Sequence, residues 1–216
     1  PPPSAGGIVL LSLLNQVEGD DLAALPEPER LHVMAEAMRR AFADRARWVG
    51  DPAFNPALPV ARLISKPYGA ALRQSIDPAK ASVSDPGRMT FLPESEQTTH
   101  LSVVDRRGHA VSLTYTLEDH YGVKRVVPGA GFLLNNELGD FNAGPGLTDA
   151  GGLIGTEPNL AQPGKRPLSS MCPAILSKDG RVALVTGSPG GRTIPNTVFQ
   201  TVLNVVVMGL DAQSAV

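Results

Sequence analysis

Two threonines and a histidine, Thr98, Thr99 and His100, stand where a polar segment rich in Pro and Ser runs into the alternating stretch HLSVVD. A threonine hydroxyl is a weak nucleophile that needs a base, and a neighbouring histidine is the usual one. A different base arises if the Gln97–Thr98 peptide bond is cut. Thr98 then carries a free α-amino group, whose pKa in small peptides is about 7.7–8.0, suited to taking the hydroxyl proton and returning it to a leaving group. The exposed polar segment before Thr98 is the kind of chain in which cutting is sterically possible. Threonine also favours strands, so the pair reads equally as a plain strand opening, and on this stretch alone that is the simpler reading.

The elements around the pair change character near residue 98. After Gly6-Gly7, IVLLSLLNQV is apolar nearly all round and predicts a buried helix ending at the acidic residues 18–21. PEPERLHVMAEAMRRAFADRARWVG predicts a longer helix opened by Pro and Glu. Leu31, Met34, Ala35, Met38, Ala41, Phe42 and Val49 recur there at helical spacing, with Arg45 the one interruption and most other Arg and Glu opposite. A short helix is expected over Pro67 to Ile76, followed by a surface linker over 77–97. Beyond it the period switches to two. HLSVVD and HAVSLTYTLED predict a hairpin turning at Arg106-Arg107-Gly108, and alternation puts Thr114, Thr116 and Glu118 on one strand face. GFLLNN and RVALVTGS are further strand candidates, and TIPNTVFQTVLNVVVMGL is a final buried helix. Helices, linker, strands and helix fit an α+β arrangement in which helices cover antiparallel sheets. The chain opens on PPPSAGG without an initiator Met and stops just beyond a helix, so a processed or truncated piece is expected.

Composition narrows the partners. With 216 residues, 42% hydrophobic and 19% charged, the chain can bury a sizeable core. A net charge of −2 without a basic run gives no electrostatic reason to expect nucleic acid or an anionic membrane, which favours small-molecule chemistry. Cys172 stands alone, excluding an internal disulfide or a multi-cysteine metal site, and the His residues show no ligand spacing. No metal or other cofactor is expected. No apolar run reaches membrane-spanning length.

THLSVVD, LTYTLED, LLNNELGDFN, KRPLSSMCPAI and TGSPGGRT, in this order and with these gaps, closely resemble the γ-glutamyltranspeptidase family of N-terminal-nucleophile hydrolases. PPPSAGG and MAEAMRRAFADRARWVGDP resemble the end of that family's large subunit, so the resemblance covers nearly the whole chain. It implies a four-layer αββα sandwich, present here as a partial chain. Residues 1–97 correspond to the C-terminal part of the large-subunit region and 98–216 to the N-terminal part of the small-subunit region.

The resemblance implies autocatalytic cleavage between Gln97 and Thr98 and a large/small subunit heterodimer. Thr98 then attacks a γ-glutamyl carbonyl of a glutathione-like donor, and the acyl-enzyme passes to water or to an amino acid or peptide acceptor. Thr116 matches the threonine supporting the nucleophile; Glu118, Glu137 and Asp140 match positions holding the substrate α-ammonium; Ser169 and Ser170 match the serines on its α-carboxylate. Gly190 and Gly191 match the pair whose N–H groups form an oxyanion hole, where glycine lets donors approach closely and adopt unusual backbone angles. Family members are commonly exported to the periplasm or cell surface.

Departures from the pattern bear on specificity. The main carboxylate-binding Arg of the family lies upstream of Pro1, and neither Arg166 nor Arg192 is assumed to replace it. Position 118 is Asn in some members and Glu here. Lys124 and Arg125 are added near the expected pocket mouth, and GPGLTDAGGLIG lacks the lid Tyr of some members, which favours water over an acceptor. A related acylase, a poly-γ-glutamate transpeptidase or an inactive fragment are the alternatives.

Overall fold

A computed structural model describes residues 4–83, 98–142, 144 and 156–216. Helix α1 (Gly6–Val17) packs against four other helices, which is why its sequence is apolar nearly all round. One of these is α2 (Glu27–Trp48), with Glu27 and Glu29 in its first turn and Arg45 and Arg47 in its last, complementing the helix dipole. The short α3 (Val60–Leu63) leads to α4 (Lys66–Gln74), whose first turn is capped by the Ser65 hydroxyl accepting from Tyr68 N.

The buried face of α2 differs from the one its apolar spacing predicts. Leu31 and Ala35 are exposed, whereas Val33, Met34, Ala37 and Ala41 are buried together with Glu36 and Arg45. Counting apolar residues treats charges as outward markers, and here two charges are satisfied inside. Glu36 accepts from Arg40 at 2.6 Å and from Ser82 N at 3.0 Å, tying the 75–82 segment to the helix. Of the expected linker, residues 84–97, including Gln97, lie outside the described residues.

Strands β1 (Thr98–Val104) and β2 (Ala110–Thr116) pair antiparallel from Thr98 opposite Thr116 to Val104 opposite Ala110. Asp105 Oδ1 accepts from Arg107 N and His109 N in the connecting turn, where Gly108 has φ +85°. Strands β3 (Ala174–Lys178) and β4 (Arg181–Thr186) form a second hairpin, turned by Asp179-Gly180 with both φ positive, as a two-residue turn of this hand requires. β3 was not among the strands expected from periodicity. GFLLNN forms no extended strand: it meets the preceding segment at one bridge, Val126 to Leu133, and through backbone bonds such as Leu134 N to Arg125 O, with Gly129 and Gly131 in left-handed conformations in the connecting turn.

The first hairpin carries its apolar side chains outward. Leu101, Val103, Val111, Leu113 and Tyr115 are exposed, while the polar face lies against the second hairpin. Ser102 Oγ donates to Val185 O at 3.2 Å and Ser112 Oγ to Thr186 O at 2.9 Å, so hydroxyls join the two hairpins. Helix α5 (Ile194–Val206) then returns to the core, where Ile194, Val198, Phe199, Val202 and Leu203 meet Leu13, Ala37, Leu63, Leu168 and Cys172. One apolar core thus contains residues from both sides of position 98. The α+β class is as expected, in the partial form expected.

Candidate active site

Thr98 opens β1 directly opposite Thr116, and directly opposed residues share a sheet face with their Cβ atoms about 4.5–5.5 Å apart. The same face continues through His100 opposite Thr114 and Ser102 opposite Ser112. His100 Nδ1 lies 2.8 Å from Thr114 Oγ1, and Nε2 lies 3.1 Å from Ser102 Oγ. Burial pushes its pKa down, so the ring is neutral at neutral pH. With both ring nitrogens engaged, His100 braces the hairpin rather than serving as the base for Thr98. Its ring occupies the space over Gly187, where an added Cβ would collide with the imidazole.

The chain from Gly187 leads to the glycine pair. Gly190 has φ +121° and Gly191 φ +53°, both in the region that favours glycine. Thr193 N and Oγ1 donate to Gly190 O at 3.0 and 2.6 Å and close the turn at the head of α5. The charge of Arg192, the next residue, acts on Glu118 and Asp140, so this turn borders the acids.

Glu118 does not continue the β2 face with Thr114 and Thr116. The strand ends at Thr116, whose hydroxyl accepts from Glu118 N at 2.8 Å, and Glu118 takes φ +68°. That hydroxyl turns the chain out of the sheet and sends the carboxyl toward Gly139, whose missing side chain leaves the room it fills. Glu137 and Asp140 sit in the 3-10 turn Glu137–Asp140, with their carboxyls hydrogen-bonded to each other. Burial, then the nearby Asp140 and Asp119 charges, pushes the Glu118 pKa up to about 7. Burial, then the bond to Asp140 and the charges of Asp140 and Glu118, brings Glu137 to about 7. Asp140 is also raised by burial, although Arg45 and Arg192 pull the other way. Glu137 Oε1 is buried and makes no hydrogen bond among the described residues.

The serine pair lies on the other side of Arg45. This buried α2 side chain donates from a terminal guanidinium nitrogen to Ser170 Oγ at 2.8 Å, while its charge acts on Asp140. Ser169 Oγ accepts from Met171 N at 3.2 Å, and its backbone oxygen accepts from Ala5 N at 2.8 Å. The preceding Arg166 is committed to Asp51, to which it donates through N, Nε and a terminal nitrogen. It is therefore not poised to receive a carboxylate. Lys124 and Arg125 are exposed, and apart from Gly144 the GPGLTDAGGLIG segment, residues 145–155, lies outside the described residues.

The predicted residues thus form a connected set: Thr98 beside Thr116, Thr116 bonded to Glu118, Glu118 near Asp140 and Glu137, Asp140 near Arg45, Arg45 bonded to Ser170, and Arg192 carrying the link to Gly191. The γ-glutamyltranspeptidase family pattern matches residues 1–216. The chain belongs to the γ-glutamyltranspeptidase family. It is 44% identical over 220 residues to the glutathione hydrolase proenzyme of Escherichia coli (strain K12), all of this chain aligning with 38% of that protein. Among solved structures it resembles the γ-glutamyltranspeptidase of Pseudomonas nitroreducens complexed with L-DON. The match has 50% identity and TM-score 0.51, over 55% of this chain and 61% of that one. It also resembles the cephalosporin acylase of Bacillus halodurans, at 27% identity and TM-score 0.77 over 100% of this chain and 36% of that one. The chain spans about two fifths of the length of the curated relatives it matches.

Sequence reasoning passed over three residues that hold this cluster and the segments around it in place. Arg45 left a signal, as a charge on an otherwise apolar helix face. Asp51 and Asn159 left none, because their roles depend on partners 115 and 19 positions away.

Proposed function

We propose that this chain contributes the nucleophile and the substrate head-group pocket of a self-processing γ-glutamyl hydrolase or transferase. The carrying observation is the cluster of Glu118, Glu137 and Asp140, three neighbouring carboxyls with raised pKa values, tied to the Thr98–Thr116 pair by the hydrogen bond from Glu118 N to the Thr116 hydroxyl. Buried acids at high cost are suited to a cation brought by the substrate, and a γ-glutamyl donor brings an α-ammonium. Cleavage between Gln97 and Thr98 divides the chain into a large-subunit part, 1–97, and a small-subunit part, 98–216, and frees the Thr98 amine. That amine takes the proton from Thr98 Oγ as the oxygen attacks the γ-carbonyl, and the oxyanion is held by the Gly190 and Gly191 N–H groups. The amine returns the proton to the leaving nitrogen as the C–N bond breaks. Water or an acceptor amine then attacks the γ-glutamyl ester on Thr98, and the hydroxyl is regenerated. Thr116 supports the nucleophile, Glu118, Glu137 and Asp140 receive the ammonium, and Ser169 and Ser170 receive the carboxylate. Glutathione-like donors fit this pocket, and export to the periplasm or cell surface fits such substrates.

The test uses the full-length protein. Intact mass and N-terminal sequencing should give two pieces, one beginning at Thr98. A γ-glutamyl anilide should then be hydrolysed with a far higher kcat/KM than the glutaryl anilide, which lacks only the α-amino group. Equal rates on both would favour an acylase, and an uncut chain without activity an inactive protein.

A further inference from the structure

Asn159 closes the 3-10 turn Glu157–Asn159 and is 4% exposed. Its carboxamide joins the two sides of the head-group pocket. Nδ2 donates to the backbone oxygen of Asp140 at 2.7 Å and lies 3.4 Å from Asn142 Oδ1. Oδ1 accepts from Leu168 N at 3.1 Å, one residue before Ser169. Its backbone oxygen accepts from Asn142 N at 2.9 Å. Asn142 Nδ2 in turn donates to Thr156 O at 2.7 Å, and the Thr156 hydroxyl donates to Ala46 O, beside Arg45 on α2. The turn is therefore pinned to the acids, to the serine segment and to the helix that supplies Arg45.

A planar amide fixed at both ends is a spacer of set length. Asp140 stands on the side proposed for the ammonium and Ser169-Ser170 on the side proposed for the carboxylate. An α-amino acid carries these two groups on one carbon, so their separation is fixed and a pocket that reads both must hold its own separation fixed. We propose that Asn159 is a positioning residue that sets the distance between the acid cluster and the serine pair and so selects donors carrying both an α-ammonium and an α-carboxylate. This rests on the γ-glutamyl reading of the site. Asn159 touches no reacting atom, so its effect falls on recognition rather than on the chemical step.

The experiment measures kcat and KM for the γ-glutamyl and glutaryl anilides in the full-length processed protein and in Asn159→Ala and Asn159→Asp. Asn159→Asp keeps an acceptor for Leu168 N but sets an oxygen against Asp140 O. In both variants KM for the γ-glutamyl donor should rise by about tenfold or more with kcat little changed, while the glutaryl values stay put, so the preference between donors collapses. A preference unchanged in both variants overturns the assignment and leaves the γ-glutamyl reading standing. Absence of any preference in the unsubstituted enzyme sinks that reading and this assignment with it. Failure of both variants to mature also overturns it, because a residue that only spaces the pocket leaves cleavage before Thr98 intact.

Discussion

Two regions of this molecule bury carboxyl groups and treat them in opposite ways. Asp51 and Glu36 are 1% and 3% exposed, yet both ionise more readily than a free acid. Asp51 owes this first to the Arg166 hydrogen bonds; for Glu36, burial pushes up, but bonds from Ser82 and Arg40 outweigh it and bring the pKa to about 2. Glu118, Glu137 and Asp140 keep more surface exposure and yet move the other way, burial being the first cause for each, although Arg45 stands near Asp140 and Arg192 near Glu118 and Asp140. Supporting acids are satisfied by donors of the same chain, whereas the site acids crowd one another. A cluster that costs the fold something and contributes little to its packing is where a ligand's charge has most to offer.

Substitution should separate the two regions most sharply in activity. Asp140→Asn removes a proposed ammonium partner, so kcat/KM for a γ-glutamyl anilide should fall by roughly 10³ or more while the melting temperature holds or rises. A large loss of melting temperature instead would place Asp140 with the supporting acids. Asp51→Ala should do the reverse. It strips the partner from the Arg166 donors and from Ala53 N, which should lower the midpoint of a denaturant titration, with kcat/KM of the remaining folded enzyme much less affected.

The supporting region was largely legible in the sequence as helices, and the site was legible as motifs. Neither was legible as contacts. Apolar periodicity located α1, α2, α4 and α5 but turned α2 toward Leu31 and Ala35, because it had no means of knowing that Glu36 would find Ser82 and Arg45 would find Ser170. Alternation located β1 and β2 and placed Thr98 and Thr116 at a strand end. It carried Glu118 one step too far along the strand, since the bond that turns it away comes from the Thr116 hydroxyl. The outward apolar face of the hairpin was equally invisible, because alternation states that two faces differ and not which one packs.

The smallest effect expected is in the pH dependence of stability, where the two regions should pull in opposite directions. Glu36 has its folded pKa depressed from 4.5 to about 2, so its contribution is full above the unfolded value and is lost as pH falls toward about 2. Glu118 and Glu137 have folded pKa values raised from 4.5 to about 7, so the folded state binds more protons between those values and stability declines as pH rises through that window. Glu137→Gln removes one of these charges and should flatten the decline toward neutral pH while leaving the acid limb set by Glu36 unchanged. Melting temperatures of the two proteins across the range would show it. If the decline toward neutral pH survived intact, the site acids would not be crowding one another, and their difference from Asp51 and Glu36 would lie in position alone. If it vanished, a γ-glutamyl ligand should produce the same flattening in the unsubstituted protein, since an ammonium among the carboxylates favours their ionised form as a hydrogen-bond donor does at Glu36.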